Sequence, residues 1–116
     1  MKYFKESEFE CDGINCFDKM IPKFLDQLDL ARSMSKVKWQ ITSSWRNEEH
    51  NKAVGGKSDS EHLEGLAVDI SAPTSQHKYE IVSCALMAGF TRIGIGKDFI
   101  HIGGSKGKPQ NVIWTY

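Results

Sequence analysis

The chain has 116 residues, 40% of them hydrophobic and 26% charged, with 15 basic side chains against 15 acidic ones. That length holds one domain with one core, and the composition is that of a soluble folded protein rather than a disordered one. A formal net charge of zero removes the global field that draws a protein to nucleic acid or to an anionic membrane, so activity has to come from a local site.

The opening residues carry charges too early for the apolar core of a secretory signal, and no stretch is long enough to span a bilayer. The expectation is a cytosolic protein in the cell that makes it, without membrane insertion and monomeric. Cys11, Cys16 and Cys84 do not all pair within one chain, which speaks against a secreted disulfide scaffold. Cys11 and Cys16 are spaced for a bridge or for metal, but no second pair completes a cysteine-rich site. Residues 1–16 read as extended, with Phe4, Phe9 and Cys11 on one alternating face.

From Asp18, a plausible cap, to residue 34 the pattern becomes helical. Met20, Phe24, Leu28 and Ala31 recur on one face, and Pro22 falls in the first turn, where its missing N–H does least harm. Residues 37–42 alternate as a half-buried strand, Ser43-Ser44-Trp45-Arg46 follows, and a polar, helix-compatible stretch then runs to Val54. Gly55 and Gly56 then make a turn. Residues 66–70 form the next strand. Thr74 or Ser75 caps a helix over 77–88 that Gly89 closes, and 90–95, 99–102 and 112–116 are short strands. The fold class is α+β: a small, mostly antiparallel sheet packed against a long helix and a second helix.

The chemistry gathers on one strand face. In the 66–70 strand Leu66, Val68 and Ile70 point to the core, leaving Gly65, Ala67 and Asp69 on the other side. A carboxylate among apolar residues is costly unless it is paired or holds a metal. His62 lies just before this strand, and Gly65 permits the chain to bend back. Ile100 and Ile102 likewise face the core, so His101 projects toward the same space. Singly, such a histidine is commonly structural and such an aspartate a cap or salt-bridge partner. Together, His62, Asp69 and His101 supply the ligand set of a catalytic zinc, which keeps its fourth position for water. Asp98, three residues before His101, is a candidate general base or an exposed turn residue. Arg46, at a strand end, is a candidate for holding a carboxylate or polarising a carbonyl, or a solvated surface residue. Glu61 and Glu64 read as outward loop positions, His50 and His77 as surface residues, and Trp39 and Trp114 as core, with Trp45 as a wall of the substrate cleft.

With these residues placed, the sequence resembles the D-alanyl-D-alanine carboxypeptidase and L-alanyl-D-glutamate endopeptidase family of zinc peptidases, especially its short phage and prophage forms. Ser60-x-His62-x-x-Gly65-x-Ala67-x-Asp69-Ile70 is similar to the family's first metal motif. Gly89-Phe90-x-Arg92-Ile93-Gly94-Ile95 with Asp98-x-x-His101 is similar to its base and last ligand. Residues 41–46, 51–56 and 111–116 extend the likeness over nearly the whole chain. The resemblance implies a fold shared with the hedgehog signalling domain, and zinc on His62, Asp69 and His101. It makes Asp98 the base and Arg46 the stabiliser of the carbonyl oxygen, with Ser60 at the substrate-facing edge. Two departures stand out: Ser43-Ser44-Trp45-Arg46 where the family commonly has Ser-Gly-Tyr-Arg, and Gly103 where an acidic residue is common.

The function so implied is zinc-dependent hydrolysis of peptidoglycan stem peptides, as an L-Ala–D-Glu endopeptidase of endolysin type or a D-Ala–D-Ala carboxypeptidase. Access to the wall would come through a holin or delivery as part of a virion. The alternative is a non-catalytic, zinc-stabilised binding module. A serine or cysteine hydrolase is a poor reading, because neither Ser60 nor Cys84 sits on a strained nucleophile turn.

Overall fold

The computed structural model describes every residue except Asp12. A 3₁₀ turn over Glu6–Phe9 leads into a hairpin of β1 (Glu10–Cys11) and β2 (Ile14–Asn15), which a Cys11–Cys16 disulfide closes. This start is folded back on itself rather than extended. Phe4 and Phe9 are buried all the same, because the turn drives them edge-on into each other and Phe4 against Trp39.

Helix α1 (Pro22–Ser33) begins four residues later than the expected cap. Asp18 sits in a separate 3₁₀ turn, Ile21 is the extended N-cap residue, and Pro22 supplies a preset φ at the first helical position. Its buried side chains Phe24, Leu25, Leu28 and Ala31 follow the 3.6-residue period onto one face. Helix α3 (Ser75–Met87) packs beside it, burying Ile81, Cys84 and Ala85. Thr74 caps it by accepting from the His77 N–H at 3.1 Å.

Both helices cover one face of a five-stranded sheet in the order β3 (Ile41–Ser43), β4 (Ala67–Ser71), β6 (Phe99–Gly103), β5 (Arg92–Ile95), β7 (Val112–Thr115). All pairs are antiparallel except β5 with β7. Val68, Ile70, Ile93, Ile100 and Ile102 point into the helices and are fully buried; each such side chain contributes about 1.5–3 kcal/mol relative to leaving it in water. The expected strand over 37–42 contracts to β3. Trp39 still reaches the core, but its indole N–H donates to Ser35 Oγ at 2.9 Å, so this stretch is anchored by side chains before it joins the ladder.

Strands β4 and β6 pair over five positions, with Asp69 directly opposite His101 and Ala67 opposite Gly103. That register sets the site. It places Asp69 and His101 side by side on the face that no helix covers.

Candidate metal centre

His62 reaches this face from a one-turn 3₁₀ segment, Glu61–Glu64, between the short helix α2 (Glu48–Ala53) and β4. Ser60 caps the turn by accepting from the His62 N–H at 3.2 Å. Gly65 ends it in the left-handed region at φ 71°, where a side chain would also strike the Lys19 carbonyl. The chain thus reverses into β4 with the His62 ring tucked over Asp69.

The hydrogen bonds fix the direction of each ring. His62 Nδ1 lies 2.7 Å from the Ser44 carbonyl oxygen, which only accepts, so Nδ1 carries the proton and Nε2 presents its lone pair inward. His101 Nε2 lies 2.6 Å from Glu61 Oε2, so there Nε2–H donates and Nδ1 faces inward. The two inward nitrogens converge on one atom: Asp69 Oδ1 is 3.3 Å from His62 Nε2 and 3.0 Å from His101 Nδ1. With neutral imidazoles, these are lone pairs facing a carboxylate oxygen. Such an arrangement is unfavourable unless the rings take up further protons or a cation lies between them. Donors about 2.0–2.2 Å from a tetrahedral ion lie roughly 3.3 Å apart, so the spacing fits a divalent metal. Among the described residues, this trio is the group of metal-ligating side chains that converges in this way.

The surroundings are buried and charged. His62 and Glu61 are each 3% exposed and His101 is 5% exposed. Burial would raise the carboxyl of Asp69, but hydrogen bonds and charge from His101 and His62 outweigh it and hold that carboxyl well below the usual range. Burial likewise opposes ionisation of Glu61, and His101, Arg92 and the Ser105 N–H reverse it, leaving its carboxyl lowered. For His101, burial is overcome by Asp69 and Glu61, and the imidazole is raised.

These shifts make the stability of the metal-free protein depend on pH. Depressed carboxyls stabilise the fold fully above their ordinary values of 3.8 and 4.5, and that contribution is lost as pH falls through the lowered ones. The raised imidazole stabilises fully below 6.5 and is lost as pH rises through its folded value. Thermal unfolding after chelation is therefore expected to peak between pH 4.5 and 6.5. A melting temperature still climbing from pH 6.5 to 8 would contradict the ion pairing described here.

The cluster lies in an open cleft of about 900 Å³, which Arg46, Ser60, Glu61, Arg92, Phe99, Trp114 and Tyr116 help to line. Arg46 Nη2 is 3.3 Å from Asp69 Oδ2, Nε donates to Ser43 Oγ and Nη1 to Asn51 Oδ1. It is not a solvated surface residue.

The remaining candidates are placed differently from one another. Asp98 is exposed in the turn before β6 and lies outside the cleft lining; its backbone carbonyl accepts from the Ala72 N–H at 2.8 Å. Trp45 does not wall the cleft. It packs against the core, with its indole N–H donating to the Leu63 carbonyl. Trp114 takes that place, its ring 5.4 Å from that of His101 and 5.0 Å from the Arg92 guanidinium, in space that Gly94 leaves open. Glu61 is buried beneath His101 rather than pointing outward. His50 and His77 stay outside the cluster.

Three comparisons bear on this geometry. The Serratia marcescens L-Ala D-Glu endopeptidase ChiX has a similar structure, with a TM-score of 0.61 and 20% identity over 76% of this chain and 82% of that one. This likeness establishes the α+β fold. No curated protein matches the sequence. The sequence pattern of peptidase M15 matches residues 2–103, spanning the cluster and the elements that build it. The chain belongs to the peptidase M15 family.

Proposed function

We propose that the protein is a zinc-dependent peptidase that cuts the stem peptides of bacterial peptidoglycan, in the manner of an endolysin acting between L-Ala and D-Glu. The observation that carries this reading is the convergence of two inward-facing imidazole nitrogens on one oxygen of Asp69. Zinc held there supplies a Lewis acid for the scissile carbonyl and an activated water as nucleophile. The open cleft suits an endopeptidase, since a stem peptide can cross it without ending in it. ChiX, named an L-Ala D-Glu endopeptidase, supports the same bond class.

The chain's own groups divide the remaining work. Arg46 lies beside Asp69 with its guanidinium in the cleft, where it stabilises negative charge developing on the carbonyl oxygen. Ser60 borders the cleft at the mouth of the His62 turn and offers a hydroxyl to the substrate backbone. Asp98, exposed just before β6, takes the proton from the attacking water and delivers it to the leaving nitrogen. The protein acts on the wall after release from the producing cell or as part of a virion.

The outward position of Asp98 favours one competing reading, a zinc-stabilised module that binds peptide without cutting it. Digestion of purified peptidoglycan by the zinc-loaded protein, followed by mass spectrometry of the fragments, separates the two. New L-Ala carboxyl and D-Glu amino termini are expected. The Asp98→Ala variant is expected to keep its zinc and lose hydrolysis by about 10²- to 10⁴-fold. A wild-type protein that releases no fragments is a binding module, and an unimpaired Asp98→Ala variant takes proton transfer away from that residue.

A further inference from the structure

Glu61 is a buried carboxylate engaged by three donors, and it belongs to no ligand set. Its Oε2 accepts from His101 Nε2 at 2.6 Å. Its Oε1 accepts from Arg92 Nε at 3.0 Å and from the Ser105 N–H at 3.1 Å. Arg92 is fixed in turn, donating through Nη1 to the Pro109 carbonyl at 2.7 Å and lying against the Trp114 ring. A carboxylate this buried, held by three donors, has a single orientation.

The space it occupies is set by Gly103. A Cβ on residue 103 would fall on the Glu61 carboxylate, so the absence of a side chain there is what admits it. Gly103 and His101 share the cleft face of β6, two residues apart. The carboxylate arriving from the His62 turn therefore stands where a short acidic side chain on β6 would stand.

We propose that Glu61 is a positioning residue for the metal centre: it fixes the proton of His101 on Nε2, aims Nδ1 at the ion, and fills from a neighbouring turn the place that residue 103 leaves vacant. This rests on the zinc reading above. It also links two ligands through one turn, since Glu61 precedes His62 directly and grips His101 from below. A carboxylate that locks a ligating imidazole in this way raises metal affinity by about 10- to 100-fold.

The experiment is a zinc competition titration against a chromophoric chelator, on wild type, Glu61→Gln, Glu61→Ala and the double variant Glu61→Ala/Gly103→Asp. Long-range ¹H–¹⁵N spectra of the His101 ring in the zinc-loaded proteins accompany it. Glu61→Gln is expected to keep its far-UV circular dichroism, bind zinc about tenfold or more weakly, and shift the Nε2–H resonance as a charged acceptor is replaced by a neutral one. The double variant is expected to regain most of the affinity that Glu61→Ala loses, which a purely structural role for Glu61 does not predict. Zinc affinity in Glu61→Gln equal to wild type would overturn the proposal, as would a folded double variant that binds no better than Glu61→Ala. If loss of the Arg92 partner unfolds Glu61→Ala, the isosteric Gln variant decides alone. Failure of the wild type itself to take up zinc would refute the metal reading instead, so the two failures are distinct.

Discussion

Replacing His62 by alanine is expected to remove zinc and hydrolysis together, with metal affinity falling by several orders of magnitude. The ring is 3% exposed and is aimed from both ends, Nδ1 by the Ser44 carbonyl and Nε2 toward Asp69. No other described residue stands ready to replace it: His50 and His77 lie outside the cluster, and Glu61 is committed to His101 and Arg92. Asp69 and His101 remain paired across β4 and β6, so the sheet should survive while the ion loses one of three donors. Atomic absorption after exhaustive dialysis, alongside peptidoglycan digestion, measures both consequences. Stoichiometric zinc in the dialysed variant would place the metal elsewhere in the chain.

Replacing Arg46 by alanine is expected to leave zinc bound and slow hydrolysis by about 10²- to 10³-fold, with the loss in kcat rather than KM. The guanidinium is held by Ser43, Asn51 and Asp69 before any substrate arrives, and a preset charge of this kind acts on the transition state without reorganising. Arg46→Lys should rescue little, because a single ammonium does not reproduce a fork that meets three partners at once. Loss of zinc from the alanine variant would change the assignment. Arg46 would then serve chiefly to hold Asp69 in place, its Nη2 being 3.3 Å from Oδ2.

The meeting of Asp69 and His101 was legible in the sequence because strand periodicity is a strong constraint. Ile100 and Ile102 flank His101 in β6, and Val68 and Ile70 flank Asp69 in β4, so once both strands exist the polar residues share a face. Helices α1 and α3 were equally readable from their apolar stripes, though α1 starts later because Asp18 closes a separate 3₁₀ turn. What escaped lies where no period applies. Glu61 sits in a one-turn segment whose side-chain directions depend on Gly65 and on the residues above it, so an acidic residue beside a ligand read as solvated loop. Trp45 and Trp114 exchanged roles because each borders the sheet, and only tertiary packing decides which indole turns to the cleft. Asp98 stands one step beyond β6, at a strand end where spacing to a ligand says little about direction.

The Glu61–Glu64 turn has a consequence for how the molecule breathes. Asp69 and His101 belong to adjacent strands of the central ladder, while His62 rides on a short segment outside it, tied to its neighbours by contacts that include Arg46 N–H to His62 O and Ile21 N–H to Gly65 O. A bound ion is therefore a reversible staple between this turn and the central ladder. Occupancy should therefore be visible as slowed amide exchange in this turn when the ion is added to the stripped protein.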